Sequence, residues 1–80
     1  MIQFSLKSIR TNAGFTMAKA AKEVGIHPQT LSSYEKDSSN ISMSLLEKLS
    51  NLYQVPIDYI FLGKEYDLIR TITLKREQEA

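Results

Sequence analysis

The chain has 80 residues, no cysteine, a single histidine and a formal net charge of +1. That length supports one domain with a barely adequate core. Disulfide staples, thiolate metal sites and histidine clusters are excluded by composition.

The first predicted helix covers about Phe4 to Asn12, where Leu6, Ile9 and Ala13 recur at helical spacing and Gly14 provides a stop. A second follows from Met17 to Val24. Thr16 is placed to cap it, Phe15 to staple its first turn, and Gly25 to end it with a positive φ. The third starts at Pro28, a residue tolerated at a first helical position because its missing N–H would have had no partner there, and His27 takes the cap. Asp37-Ser38-Ser39-Asn40 reads as a polar turn. The fourth helix spans about Met43 to Tyr53, with Leu45, Leu46, Leu49, Leu52 and Tyr53 as its apolar stripe. Ser42 or Ser44 could cap it, since Ser44 and Glu47 fit a capping box. A fifth helix is predicted from Ile57 to Leu62, ending at Gly63. Beyond it, residues 65–80 form a short tail that could serve as a dimerisation arm. The alternating run Arg70 to Lys75 favours an extended arm or strand there, although Leu68, Ile69 and Ile72 also fit a helix face. The expected architecture is all-α: a bundle over residues 1–64 with that tail behind it.

Charge is unevenly spread. Over residues 1–36, Lys7, Arg10, Lys19, Lys22 and Lys36 face only Glu23 and Glu35, while the remainder is acidic. A modest basic patch suits phosphate contact. Two helices joined through Gly25 must cross steeply, and Ala21 is small enough for close approach. On the third helix, 100° steps turn Leu31 and Tyr34 inward. Gln29, Ser32, Ser33 and Lys36 then share an outward face that is small and mostly uncharged. MIQFSLK lacks the apolar stretch of a secretion signal, and the longest apolar run, Tyr59 to Leu62, is too short to span a bilayer. A soluble cytoplasmic protein with no membrane contact is expected. Enzyme readings are poor, because no nucleophile–base pair, glycine-rich phosphate loop or metal spacing occurs.

Several motifs together are specific: LKSIR, then TMAKAAKEVG, then LSSYE, LLEKLS and VPIDYIFLG. Over about residues 6 to 63 the chain resembles the Cro/XRE-type helix-turn-helix domain of phage repressors and small bacterial regulators. The resemblance implies a five-helix, lambda-repressor-like bundle, double-stranded DNA as partner, homodimer binding to a two-fold operator, and repression of transcription without a cofactor or metal. Carried across residue by residue, it places Gln29 and Ser33 against base edges, with His27, Pro28 and Ser32 beside them. A carboxamide can bond both N6 and N7 of adenine, and short hydroxyls allow deep entry into the major groove. Phosphate contacts map to Thr16, Met17, Lys19 and Lys36, and to Ser38, Ser39, Asn40 and Ser42; Arg10 and Glu35 match a structural ion pair. Met17 stands where the family favours glutamine, Pro28 offers only apolar contact, and the KDSSN turn lacks the usual glycine. The rival reading is an antitoxin-type interaction module whose tail binds a regulatory protein partner.

Overall fold

The computed structural model describes residues 2–64 and 66–68. Within them the chain forms α1 (Leu6–Asn12), α2 (Met17–Val24), α3 (Pro28–Lys36), α4 (Met43–Tyr53) and one 3₁₀ turn, Ile57–Tyr59. Each helix starts on a polar cap that takes an otherwise orphaned amide. Ser5 Oγ accepts from Ser8 N–H at 3.1 Å, Thr16 Oγ1 from Lys19 N–H at 3.2 Å, and Ser42 Oγ from Leu45 N–H at 3.2 Å. The last bond selects Ser42 over Ser44. Gly25 sits at φ 77°, and Ile26 N–H reaches back to Ala21 carbonyl at 3.0 Å. That left-handed stop leaves room for only Ile26 and His27 before α3 begins.

Two expectations are corrected on either side of the four α-helices. Phe4 is extended rather than helical. Its N–H donates to Tyr59 carbonyl at 2.8 Å, and its carbonyl accepts from Phe61 N–H at 2.9 Å, forming a parallel bridge with Ile60. The same pairing shortens the fifth helix, because Ile60 turns extended to meet Phe4 and only the 3₁₀ turn remains. A short apolar run with a non-local backbone partner is drawn away from its local helical preference. Residues 66–68 are helical and Leu68 is buried. The strand expected from Arg70 to Lys75 lies outside the described residues.

The core joins Leu6 and Ile9 of α1, Ala20, Ala21 and Val24 of α2, Leu31 of α3, the α4 stripe and Ile60. Ala20 and Ala21 are fully buried, the small surface α2 needs to lie close to α3 and α4. Leu31, Leu46, Leu49 and Ile60 are the large side chains closed off most completely; burying each contributes about 1.5–3 kcal/mol. Tyr53 packs its ring on Phe15, centroids 5.8 Å apart, while its buried hydroxyl has no hydrogen-bond partner among the described residues. Burial, followed by the nearby charge of Glu35, pushes that phenol up to about 12.

Candidate nucleic-acid interface

Helix α3 divides cleanly into two sides. Leu31 and Glu35 are buried, Ser32 and Tyr34 are half-buried, and Pro28, Gln29, Thr30, Ser33 and Lys36 are exposed. Inward anchoring by Leu31, with Ala20, Ala21 and Val24 in the same cluster, fixes which side faces out. The Gln29 carboxamide has no hydrogen-bond partner among the described residues. Ser33 Oγ donates to Gln29 carbonyl at 3.1 Å, so its proton is occupied and the hydroxyl can only accept from elsewhere. Thr30 shares the exposed side and was missed from sequence; its place beside Gln29 on the first turn was the available signal.

The starts of α2 and α4 offer a second kind of chemistry. At each, the cap hydroxyl takes the third amide and the cap carbonyl the fourth: Ala20 N–H reaches Thr16 carbonyl and Leu46 N–H reaches Ser42 carbonyl, both at 3.0 Å. Met17 and Ala18 N–H, and Met43 and Ser44 N–H, therefore find no acceptor among the described residues. Paired free amides at the positive end of a helix dipole suit an anion. Exposed Lys19 adds a full charge at the start of α2. Met17 is half-buried against the core, so only its backbone is available there.

The α3–α4 turn separates the residues predicted around it. Ser39, Asn40 and Ser42 are exposed. Asp37 folds over the turn, its carboxylate accepting from Ser39 O–H at 2.6 Å and Ser39 N–H at 3.0 Å, which holds its pKa below the usual value. Ser38 does not join them. It is 3% exposed; its hydroxyl lies 3.2 and 3.3 Å from the Phe61 and Gly63 carbonyls and accepts from Gly63 N–H at 3.0 Å. With its own N–H bound to Gly63 carbonyl at 2.9 Å, Ser38 ties the turn to the segment after the 3₁₀ turn and has nothing left for a phosphate. The phosphate role expected of it is withdrawn.

Behind α3, Arg10 Nε donates to Glu35 Oε2 at 2.7 Å and Nη2 to Oε1 at 3.3 Å, while Nη1 donates to Phe15 carbonyl at 2.8 Å. The two side chains are 13% and 4% exposed. The hydrogen bond it donates to Glu35 raises the guanidinium pKa further above its already high value. This pair fastens α3 to α1 and to the loop entering α2.

Residues 6–60 match the helix-turn-helix family. The chain belongs to it. This is the Cro/C1-type branch of helix-turn-helix proteins, whose members are DNA-binding regulators of transcription. The chain is 45% identical over 60 residues to the HTH-type transcriptional regulator ImmR of Bacillus subtilis (strain 168), across 75% of this chain and 46% of that protein. It is also 30% identical over 63 residues to an uncharacterized HTH-type transcriptional regulator of Archaeoglobus fulgidus, across 79% of this chain and 89% of the relative. The chain thus spans about half the length of the first of these helix-turn-helix regulators. No helix among the described residues is long and apolar enough to cross a membrane.

Proposed function

We propose that this helix-turn-helix protein binds a two-fold operator as a homodimer in the cytoplasm and represses transcription, with α3 in the major groove. The observation that carries this reading is the α3 surface itself. A free carboxamide at Gln29 stands among short side chains on an exposed ridge, with the open amides of α2 and α4 elsewhere on the fold. Gln29 reads adenine through N6 and N7. Pro28 meets an apolar group such as a thymine methyl, and Ser32 and Ser33 keep the ridge slim enough for close approach. Thr16, the Met17 backbone, Lys19, Lys36, Ser39, Asn40 and Ser42 hold phosphates and set the register. Main-chain dipoles supply much of that grip, which is how a chain of net charge +1 holds a polyanion.

Selection of bound sites from a pool of random duplexes tests this reading. The expected product is a motif with two-fold symmetry whose half-sites lie about one helical turn, roughly 10 base pairs, or a multiple of it apart. A single asymmetric site would contradict dimeric operator binding, and no enrichment would contradict sequence-specific reading altogether.

A further inference from the structure

Phe4 uses both of its backbone groups on the side of the 3₁₀ turn, through Tyr59 carbonyl and Phe61 N–H. In extended backbone, neighbouring residues direct their N–H and carbonyl groups to opposite edges, so those of Gln3 point away from the bridge. Neither has a partner among the described residues. Ser5 continues the extended path, at φ −68° and ψ 154°, before α1 begins. Ile2, Gln3 and Phe4 are exposed and present an open backbone edge, of the kind that pairs with another extended chain.

This edge is complementary to itself. A two-fold axis at Gln3 sets two copies antiparallel, and each Gln3 N–H then donates to the Gln3 carbonyl of the other copy. The same register sets Ile2 of one copy opposite Phe4 of the other, a pair with no backbone bonds between them, where side chains approach most closely. Both side chains are available, Ile2 being 72% and Phe4 46% exposed. They share one face of the extended segment, and Phe4 lines an open, largely apolar groove with Ile9, Ala13, Tyr53, Val55 and Tyr59. A branched aliphatic chain against an aromatic ring is a favourable cross-strand pair. Charge agrees with this register. Asp58 lies level with the start of the edge and Lys7 beyond its end, both exposed, so an antiparallel copy brings each toward its opposite. A heterologous strand would meet the backbone groups but has no reason to match the side chains and the charges at once.

We infer that residues 2–4 make the dimer contact: two copies join through this edge in antiparallel pairing, Ile2 of each seated against Phe4 in the groove of the other. The inference rests on the proposed homodimer and names the surface that forms it. None of the residues assigned to DNA belongs to the edge, so the pairing uses none of them.

Gln3→Pro removes the outward N–H and fills its place with the ring, and no backbone bond among the described residues is lost with it. Gln3→Ala is the control. Both variants lose the carboxamide's bonds to the Asp58 and Ile60 carbonyls, and only proline loses the N–H. Sedimentation velocity over a dilution series, alone and with the selected duplex, reads the dimer, while circular dichroism checks that each variant is folded. Gln3→Ala is expected to dimerise like the unaltered protein, and the dimer dissociation constant to rise about ten- to a hundredfold in Gln3→Pro. Equal dimerisation of the two variants overturns the inference and leaves the homodimer standing. A monomer at every concentration, with or without DNA, overturns the homodimer itself. Amide exchange on the unaltered protein decides without a variant: Gln3 N–H is expected to gain protection as concentration rises. Exchange at the free-chain rate while the protein is dimeric would sink the inference even if Gln3→Pro failed to fold.

Discussion

Replacing Arg10 with alanine leaves the Glu35 carboxylate, 4% exposed, with neither its 2.7 Å nor its 3.3 Å partner. Removing one half of a buried pair costs about 3–5 kcal/mol, because the remaining charge is neither solvated nor compensated. Phe15 carbonyl loses its guanidinium donor as well. A domain of this size has only about 4–12 kcal/mol of stability in total, so Arg10→Ala takes a large share of it. Each kcal/mol moves the midpoint of such a domain by about 4–8 °C, which puts the loss at tens of degrees in thermal unfolding followed by circular dichroism. The companion variant Arg10→Met with Glu35→Leu removes both charges and is expected to recover most of the loss, since a well-packed apolar replacement of a buried pair is often neutral or better. An Arg10→Ala midpoint within a few degrees of the unaltered protein would refute the reasoning, as Glu35 would then have to be solvated in the folded state.

The Tyr53 phenol is raised from 10.0 to about 12 in the folded chain. Between those values the unfolded state has lost a proton that the folded state keeps, so stability is whole below pH 10 and falls as pH rises toward 12, by roughly 2–3 kcal/mol. Tyr53→Phe should abolish that alkaline loss in denaturant titrations at stepped pH and cost little at neutrality, where the hydroxyl has no partner to lose among the described residues; an unchanged alkaline slope would count against it. Lys19→Ala should weaken selected and scrambled duplexes alike and lower the slope of log affinity against log salt by about 0.9 per subunit, about 1.8 for the proposed dimer. An unaltered slope removes Lys19 from the phosphate set.

Local chemistry was readable wherever neighbours in sequence decide the outcome. Thr16, Gly25 and Pro28 mark helix ends through their own hydroxyl, backbone freedom or ring, and each lies where that chemistry requires. The leucines of α4 betray their burial by spacing alone. What stayed hidden depended on distant partners. Asp-Ser-Ser-Asn looks uniformly polar and exposed, yet Ser38 is captured by a backbone 25 residues away. Ile57 to Leu62 looks helical until Phe4 arrives to pair with Ile60. Gln54 ends α4 in a left-handed conformation that glycine usually takes, at φ 58°. Its side-chain carboxamide donates from Nε2 to Asn51 carbonyl at 2.7 Å, a local bond a sequence pattern does not announce. At the interface, the choice of outward side on α3 followed from Leu31 and Tyr34.

The central claim is that the outward side of α3 reads base edges, and Gln29→Ala tests it most directly. Affinity is measured in parallel on the selected duplex, on versions with each base pair changed singly, and on scrambled sequence. The account predicts a loss of about 1–3 kcal/mol per subunit on the selected duplex, relaxed preference at one base pair in each half-site and little change on scrambled DNA. Equal weakening on every duplex, or none on any, would contradict it.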